Sequence, residues 1–159
     1  MRTAEQMRAE QRAIQNRWFD EWNRNDPNRT FATELRPQWS YEDEQNRIYA
    51  EWLLELQPGD RAHVCFYSDV EPCTVIKRTA TTVTIRYDDA ELDKSWKPEI
   101  ELGGFVGHCT NNDEQRWNIF EDPDGRTETF RWSKKSNRWL NTSKCRLYPE
   151  WAKKYDYNF

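Results

Sequence analysis

The sequence lacks the features that would place the chain in or across a membrane. It contains no uninterrupted apolar run of the roughly 18 residues that a membrane-spanning helix needs. The first residues, MRTAEQMRAEQ, also lack the apolar centre of a secretory signal. We therefore expect a cytoplasmic protein without a membrane anchor.

An excess of basic residues is also missing. The chain has 24 Lys and Arg against 28 Asp and Glu, which gives a formal net charge of −4. Proteins that bind nucleic acid without sequence preference usually have a basic surface. The charge of the whole chain therefore argues against that class, although it is too small to suggest an acidic mimic of DNA.

Metal-binding and nucleotide-binding motifs are absent as well. The four cysteines show no CxxC spacing, and His63 and His108 are the only histidines. Zinc needs four ligands, and these spacings match no known zinc pattern. The glycines of residues 103–107 fit neither a P-loop nor a dinucleotide fingerprint. We expect no metal and no cofactor, and we interpret Cys65, Cys73, Cys109 and Cys145 as reduced, buried side chains.

No group of residues forms a convincing catalytic set. His108 and Cys109 are adjacent, and neighbours on an extended strand point to opposite faces, so this histidine cannot readily activate that thiol. The acidic pairs are sequence neighbours in predicted turns, where Asp is common for conformational reasons. The sequence therefore predicts a protein that is not an enzyme.

Aromatic residues, in contrast, are abundant. They make up 14% of the chain and include nine tryptophans. A disordered chain would lack them, and each large ring can bury on the order of 150–250 Å². We expect a folded chain with a small, aromatic-rich core.

Residues 58–89 have the pattern of three short strands that open a small β-barrel. Ala62, Val64 and Phe66 alternate with polar or small residues, and Val83 and Ile85 do the same in a later run. Pro58-Gly59 marks the turn before the first strand. This order is similar to the opening strands of SH3-like barrels, so we predict an SH3-like antiparallel barrel of five to seven strands.

The C-terminal part predicts further strands and a docked tail. Residues 116–121 and 126–133 are expected to form a hairpin about the turn Asp122-Pro-Asp-Gly125, since Pro and Gly occupy favoured positions of a type I turn. A strand at 138–140 follows. The aromatic tail, CRLYPEWAKKYDYNF, is expected to dock on the barrel.

Two helices precede the barrel in this interpretation. Residues 3–25 place Met7 and Ile14 on one stripe with two tryptophans, at helical spacing. Residues 40–56 begin at Ser40, a favoured N-cap residue, and carry the apolar face Ile48, Trp52 and Leu56. The predicted class is α+β, with a helical extension (1–57) packed on an SH3-like barrel domain (58–159).

The surplus of aromatic residues suggests a surface that binds another protein. Trp and Tyr dominate the energetics of protein interfaces, although aromatics at helical spacing also form ordinary cores. The predicted partner-binding residues are the helical cluster and two loop residues: Trp18, Phe19, Trp22, Trp96 and Phe105.

An alternative is a nucleic-acid-binding module in the C-terminal third. Rings flanked by cations bind single strands without sequence preference. The candidate residues are Arg131, Lys134, Lys135, Arg138 and Trp139. A solvated basic edge that protects a strand from aggregation would produce the same pattern.

Three separated stretches resemble a family of small, uncharacterised proteins from bacteriophages and prophage regions. They are YSDVEPCTVI (67–76), GGFVGHCTNN (103–112) with EQRW (114–117), and YDYNF (155–159). The resemblance covers residues 58–159 and implies no activity. It does imply a phage context, in which small accessory proteins act on host machinery or host defence. We therefore expect a protein of the host cytoplasm that binds and inhibits a host protein, such as a defence nuclease or a signalling enzyme.

Overall fold

The computed structural model of the chain describes residues 4–25, 47–48, 50–103 and 106–158. The chain divides into two compact units, Met1–Glu55 and Leu56–Phe159. None of the described helices is both long enough and apolar enough to cross a membrane.

The first unit is helical. Helix α1 runs over Ala4–Asn25, and residues 47–48 and 50–55 are also helical. Met7, Ile14, Ile48 and Trp52 are buried and form one apolar cluster, because their spacings of seven and four residues keep each pair on one helix face. The first predicted helix is confirmed, and so is the described part of the second; the predicted N-cap of the second helix, Ser40, lies outside the described residues.

The second unit is built from strands. In chain order they are β1 (Arg61–Cys65), β2 (Val70–Arg78), β3 (Thr82–Tyr87), β4 (Asp89–Leu92), β5 (Ile100–Gly103), β6 (Val106–Cys109), β7 (Trp117–Phe120), β8 (Thr127–Ser133), β9 (Arg138–Leu140) and β10 (Arg146–Pro149). Six of them close a barrel in the order β1-β10-β9-β8-β3-β2, and every neighbouring pair is antiparallel. The predicted α+β class with a small antiparallel barrel is confirmed.

The barrel core follows from the alternation of side chains along these strands. Successive residues of a strand point to opposite faces, so alternate residues share the barrel interior. The fully buried side chains include Ala62, Val64, Cys73, Val83, Ile85, Phe130, Trp139 and Leu147. Trp139 is the largest of them, and it fills a volume that several aliphatic side chains would otherwise need.

The hairpin predicted for residues 116–121 and 126–133 is wrong. β7 pairs with β4, whereas β8 pairs with β3 and β9. The turn itself exists, since Gly125 N–H donates to Asp122 O at 3.1 Å. The turn lies in the loop between β7 and β8, which belong to different sheets. β3 pairs with β8, and after Asp88 the next strand, β4, pairs with β7.

Three further features lie outside the barrel. β4 and β7 form one two-stranded sheet, and β5 and β6 form another. A short 3-10 helix, Asn112–Glu114, follows β6. The C-terminal tail docks as predicted, because Lys154 bridges Val70 of β2 through two backbone hydrogen bonds.

Candidate binding site: the β5–β6 hairpin and its anchor

The β5–β6 hairpin exposes apolar side chains. Ile100 pairs with Cys109, and Leu102 pairs with Gly107, so these four residues lie on one face. Leu102 is 93% exposed and Ile100 is 51% exposed. A Cβ atom on Gly107 would lie 2.7 Å from Ile100 Cγ2, so glycine is what leaves room for the isoleucine side chain across the strand.

Both outer edges of this hairpin are free of strand pairing within the described part of the chain. β5 pairs only with β6, and β6 pairs only with β5. An unpaired edge offers a row of backbone N–H and C=O groups to an additional strand. The hairpin therefore combines an apolar face with hydrogen-bonding edges.

The base of the hairpin is held by two asparagines. Asn158 Oδ1 accepts from Cys109 N–H at 2.6 Å, and Asn158 Nδ2 donates to Cys109 O at 3.2 Å. Asn111 Oδ1 accepts from Glu99 N–H at 2.9 Å, and its Nδ2 donates to Lys97 O at 2.9 Å. Asn158 thus ties the end of β6 to the tail, and Asn111 joins the chain after β6 to the chain before β5.

The tail continues this network beyond Asn158. Asn112 Nδ2 donates to Asp156 Oδ1 at 3.0 Å, and Asn112 Oδ1 accepts from Tyr157 N–H at 3.2 Å. Gln115 Oε1 accepts from Tyr155 N–H at 3.0 Å. The segment containing the 3-10 helix and the last residues of the tail are therefore joined through side-chain amides.

The network also reaches the loop after β1. Asp69 Oδ1 accepts from Asp156 N–H at 2.8 Å. The three stretches singled out in the sequence, 67–76, 103–117 and 155–159, therefore meet in space through the tail. Sequence reasoning did not anticipate this contact, although the density of Asn, Asp and Gln in two of the stretches was visible.

Carboxylates alternate with the exposed apolar residues at the start of the hairpin. Glu99 and Glu101 are exposed, and neither side chain forms an ion pair with any residue that the structure describes. Lys97 is exposed near the start of β5. Because alternate residues point to opposite faces, Glu101 lies with its pair His108 on the face opposite Ile100 and Leu102.

Among the predicted partner-binding residues, Trp96 is the one whose side chain the structure describes. Trp96 is only 7% exposed, and its ring lies 5.4 Å from that of Tyr157, so it is not available to a partner as an exposed ring. Phe105 lies outside the described residues, and so do the side chains of Trp18, Phe19 and Trp22.

The residues predicted for the alternative, nucleic-acid binding, differ in exposure. Trp139 is fully buried, with the Arg78 guanidinium 4.7 Å from its ring centroid, so it cannot serve as a stacking platform. Arg131, Lys134 and Lys135 are exposed. Arg138 lies 5.8 Å from the ring centroid of Tyr148.

The groups considered for chemistry have structural partners. Cys109 is buried, with its thiol donating to Asn111 Oδ1 at 3.3 Å, while the neighbouring His108 is exposed. His63 is mostly buried, and burial lowers the pKa of its imidazole from 6.5 to about 4. Among the described residues, no three His, Cys, Asp or Glu side chains are grouped as a metal site would require.

Comparisons with protein-family models, with curated proteins and with solved structures found no match to this chain.

Proposed function

We propose that the chain is a non-enzymatic interaction protein of phage origin that binds and inhibits a host protein through the β5–β6 hairpin. The observation that carries the proposal is the exposure of Leu102 and Ile100 on one face of an arm with free edges. Large apolar side chains grouped on a projecting element are typical of interaction sites.

In this proposal the partner matches the chemistry of the hairpin. The edge of β5 can accept an extended segment as an added strand, whereas on β6 the backbone N–H and C=O of Cys109 are already bonded to Asn158. The apolar face then contacts alternate side chains of the added segment. The complementary surface of the partner is apolar, to match Ile100 and Leu102. Glu99 and Glu101 form no ion pair with described residues, and their negative charges at this hairpin favour a partner that carries Lys or Arg nearby. A host nuclease or signalling enzyme with a basic surface fits this description.

The anchoring network supports a binding role. Asn158 and Asn111 hold both strands of the hairpin at its base, so less conformational freedom is lost when the arm is captured. In this proposal the chain has no turnover, since the Cys109 thiol is buried and donates to Asn111 Oδ1, and its neighbour His108 lies on the opposite face of β6. The phage origin is supported by the resemblance of the three sequence stretches.

The test compares two surface variants of the purified, immobilised chain in nuclease-treated bacterial lysate. In the first, Ile100→Ser and Leu102→Ser remove the apolar face. The matched control is Ile76→Ser, which removes a similarly exposed isoleucine from the barrel strand β2. Bound proteins are identified by mass spectrometry, and the partner is then purified and titrated with the chain.

The expected result is one host protein that the wild type and Ile76→Ser retain in high salt and that the double variant loses. Its activity should fall to a plateau at a fixed molar ratio of the two proteins. Equal retention by the double variant would show that the hairpin is not the interface. Turnover of a substrate by the chain itself would overturn the non-enzymatic assignment.

A further inference from the structure

A concave site, separate from the β5–β6 hairpin, lies at one end of the barrel between the β1–β2 turn and the β9–β10 loop. Its cavity has a volume of about 510 Å³, which is in the range of small-molecule sites. The lining residues are Cys65, Phe66, Tyr67, Ser143, Lys144, Cys145, Arg146 and Tyr148. They combine three aromatic rings with two cations and contain no carboxylate.

The aromatic rings of this site are accessible. Tyr67 is 91% exposed and Phe66 is also exposed, and both lie in the turn after β1. Tyr148 stacks on His63 with ring centroids 5.5 Å apart and an interplanar angle of 14°. This stacking orients the ring of Tyr148, so the site pairs exposed rings at the turn with a ring held in the sheet.

The cations of the site have no acidic partner in the part of the chain that the structure describes. Neither Lys144 nor Arg146 forms an ion pair with a described residue. Asp69, in the turn between β1 and β2, accepts a hydrogen bond from the N–H of Asp156 and pairs with neither cation. Two charged side chains at one cavity, on a chain whose overall charge is −4, mark a local site for an anion.

The loop that presents Lys144 is ordered by a buried residue. Asn141 Oδ1 accepts from Cys145 N–H at 2.8 Å, and Asn141 Nδ2 donates to Glu128 Oε1 at 2.9 Å. Lys144 itself has φ 65°, in the left-handed region that favours Gly or Asn. The loop therefore holds a lysine in a conformation for which glycine would be less strained.

We propose that this cavity binds a nucleoside phosphate, with the base stacked on Tyr67 or Phe66 and the phosphate held by Lys144 and Arg146. Every nucleobase offers a flat face to an aromatic ring, and cations beside such rings contact the backbone of single strands. The site is separate from the β5–β6 hairpin and does not depend on its role.

The cavity also has a continuation that suits a strand. A neighbouring cavity of about 310 Å³ shares Lys144 and is lined by Arg131, with Thr129 and Ser133 on the same outer face of β8. A single strand passing Lys144 would find a further cation and hydroxyl groups there. The ligand can thus be a free nucleotide or one unit of a single-stranded nucleic acid.

The experiment measures the fluorescence anisotropy of a labelled oligothymidylate of about twelve nucleotides, a length within the roughly 4–16 nucleotides that single-strand-binding OB-folds cover. Thymidine monophosphate and inorganic phosphate are added as competitors. The variants are Tyr67→Ala, Lys144→Gly and Arg146→Gln. The matched control, Lys134→Gln with Lys135→Gln, removes two exposed charges from the β8–β9 turn, away from the cavity.

Each site variant should weaken binding by about tenfold or more, while the control changes it little. Arg146→Gln should also reduce the salt slope by about 0.7, as expected for one lost contact to a single-strand phosphate. Lys144→Gly should unfold at an equal or higher urea concentration than the wild type, which separates lost binding from lost folding.

The competitors distinguish the source of the ligand. Displacement by thymidine monophosphate at concentrations similar to the oligonucleotide identifies a mononucleotide site, and much weaker displacement identifies a strand site; either supports the proposal. Equal competition by inorganic phosphate, together with an unchanged Tyr67→Ala, would overturn base stacking. An absence of binding, or an equal loss in the lysine control, would overturn the site.

Discussion

The indole Nε1 of Trp151 donates a 2.9 Å hydrogen bond to Asp88 Oδ2, a carboxylate that is only 7% exposed. The same oxygen accepts from Thr74 Oγ1 at 2.7 Å, and Asp88 Oδ1 accepts from Asp122 N–H at 3.3 Å. The Arg61 guanidinium lies 4.0 Å from the Trp151 ring centroid. One buried carboxylate thus joins the tail, strand β2 and the loop before β8 at the point where the chain leaves the barrel.

Replacing the indole tests this junction. Trp151→Phe keeps an aromatic ring but removes the donor, so Asp88 is left with fewer hydrogen bonds in a buried position. We expect a loss of about 1–3 kcal/mol in the free energy of unfolding, measured by urea denaturation. Trp117→Phe is the control, because its indole donates to the neutral Gln115 amide at 3.0 Å. Equal losses in both variants would contradict a special role for Asp88.

The tail should also control the order of the β5–β6 hairpin. Asn158→Ala removes both hydrogen bonds to the backbone of Cys109. We expect faster hydrogen exchange at the Cys109 amide and unchanged exchange at Ile85 in the barrel core, because local opening does not require global unfolding. Asn118→Ala, an exposed change in β7, should leave both amides as in the wild type. Unchanged exchange at Cys109 would show that the tail does not anchor the hairpin.

Stability should fall at mildly acidic pH because of His63. Burial lowers the pKa of this imidazole from 6.5 to about 4, so between these values the unfolded chain binds a proton that the folded chain does not. The folded state therefore loses stability as the pH falls from about 6.5 to about 4, by up to about 3 kcal/mol. Above pH 6.5 the contribution of His63 is constant.

Urea unfolding across this pH range provides the measurement. The His63 Nδ1 and Glu150 O atoms are 2.8 Å apart, which places the ring proton on Nδ1, and a glutamine amide can replace this donor. His63→Gln should flatten the dependence on pH relative to the wild type. His108→Gln, which changes an exposed histidine, should not. Parallel curves for His63→Gln and the wild type would refute the assignment.

The turn at Asp122–Gly125 should tolerate no side chain at its last position. A Cβ atom on Gly125 would lie 2.0 Å from the carbonyl oxygen of Tyr87, a backbone atom that cannot move aside. We expect Gly125→Ala to lower the free energy of unfolding by about 1–3 kcal/mol, as overpacking does. Gly103→Ala is the control, since no described atom lies within 4 Å of a Cβ there. A thermal melt compares the two, and an unchanged midpoint for Gly125→Ala would refute the close approach.

The local patterns of the sequence were enough for the fold class, for the first helix and for strands β1–β3 and β7–β9. The spacing of Met7 and Ile14 predicts one helix face, and the alternation of Ala62 with Val64 and of Val83 with Ile85 predicts strands with one buried side. These signals are local, because a helix or a strand repeats its buried face every few residues. The docking of the tail could also be predicted, since so many aromatic residues are poorly suited to a solvated end.

Only the tertiary structure decided which strands pair and which large apolar side chains are exposed. β7 pairs with β4 although a turn leads directly from it to β8, because strand partners are chosen by contacts between distant segments. Trp96 and Trp139 are buried while Leu102 is exposed, an outcome that composition cannot distinguish. The meeting of Asn158 with Cys109 depends on the path of the whole barrel between them. A sequence specifies which residues can form a surface, and the closed sheet determines which of them remain on it.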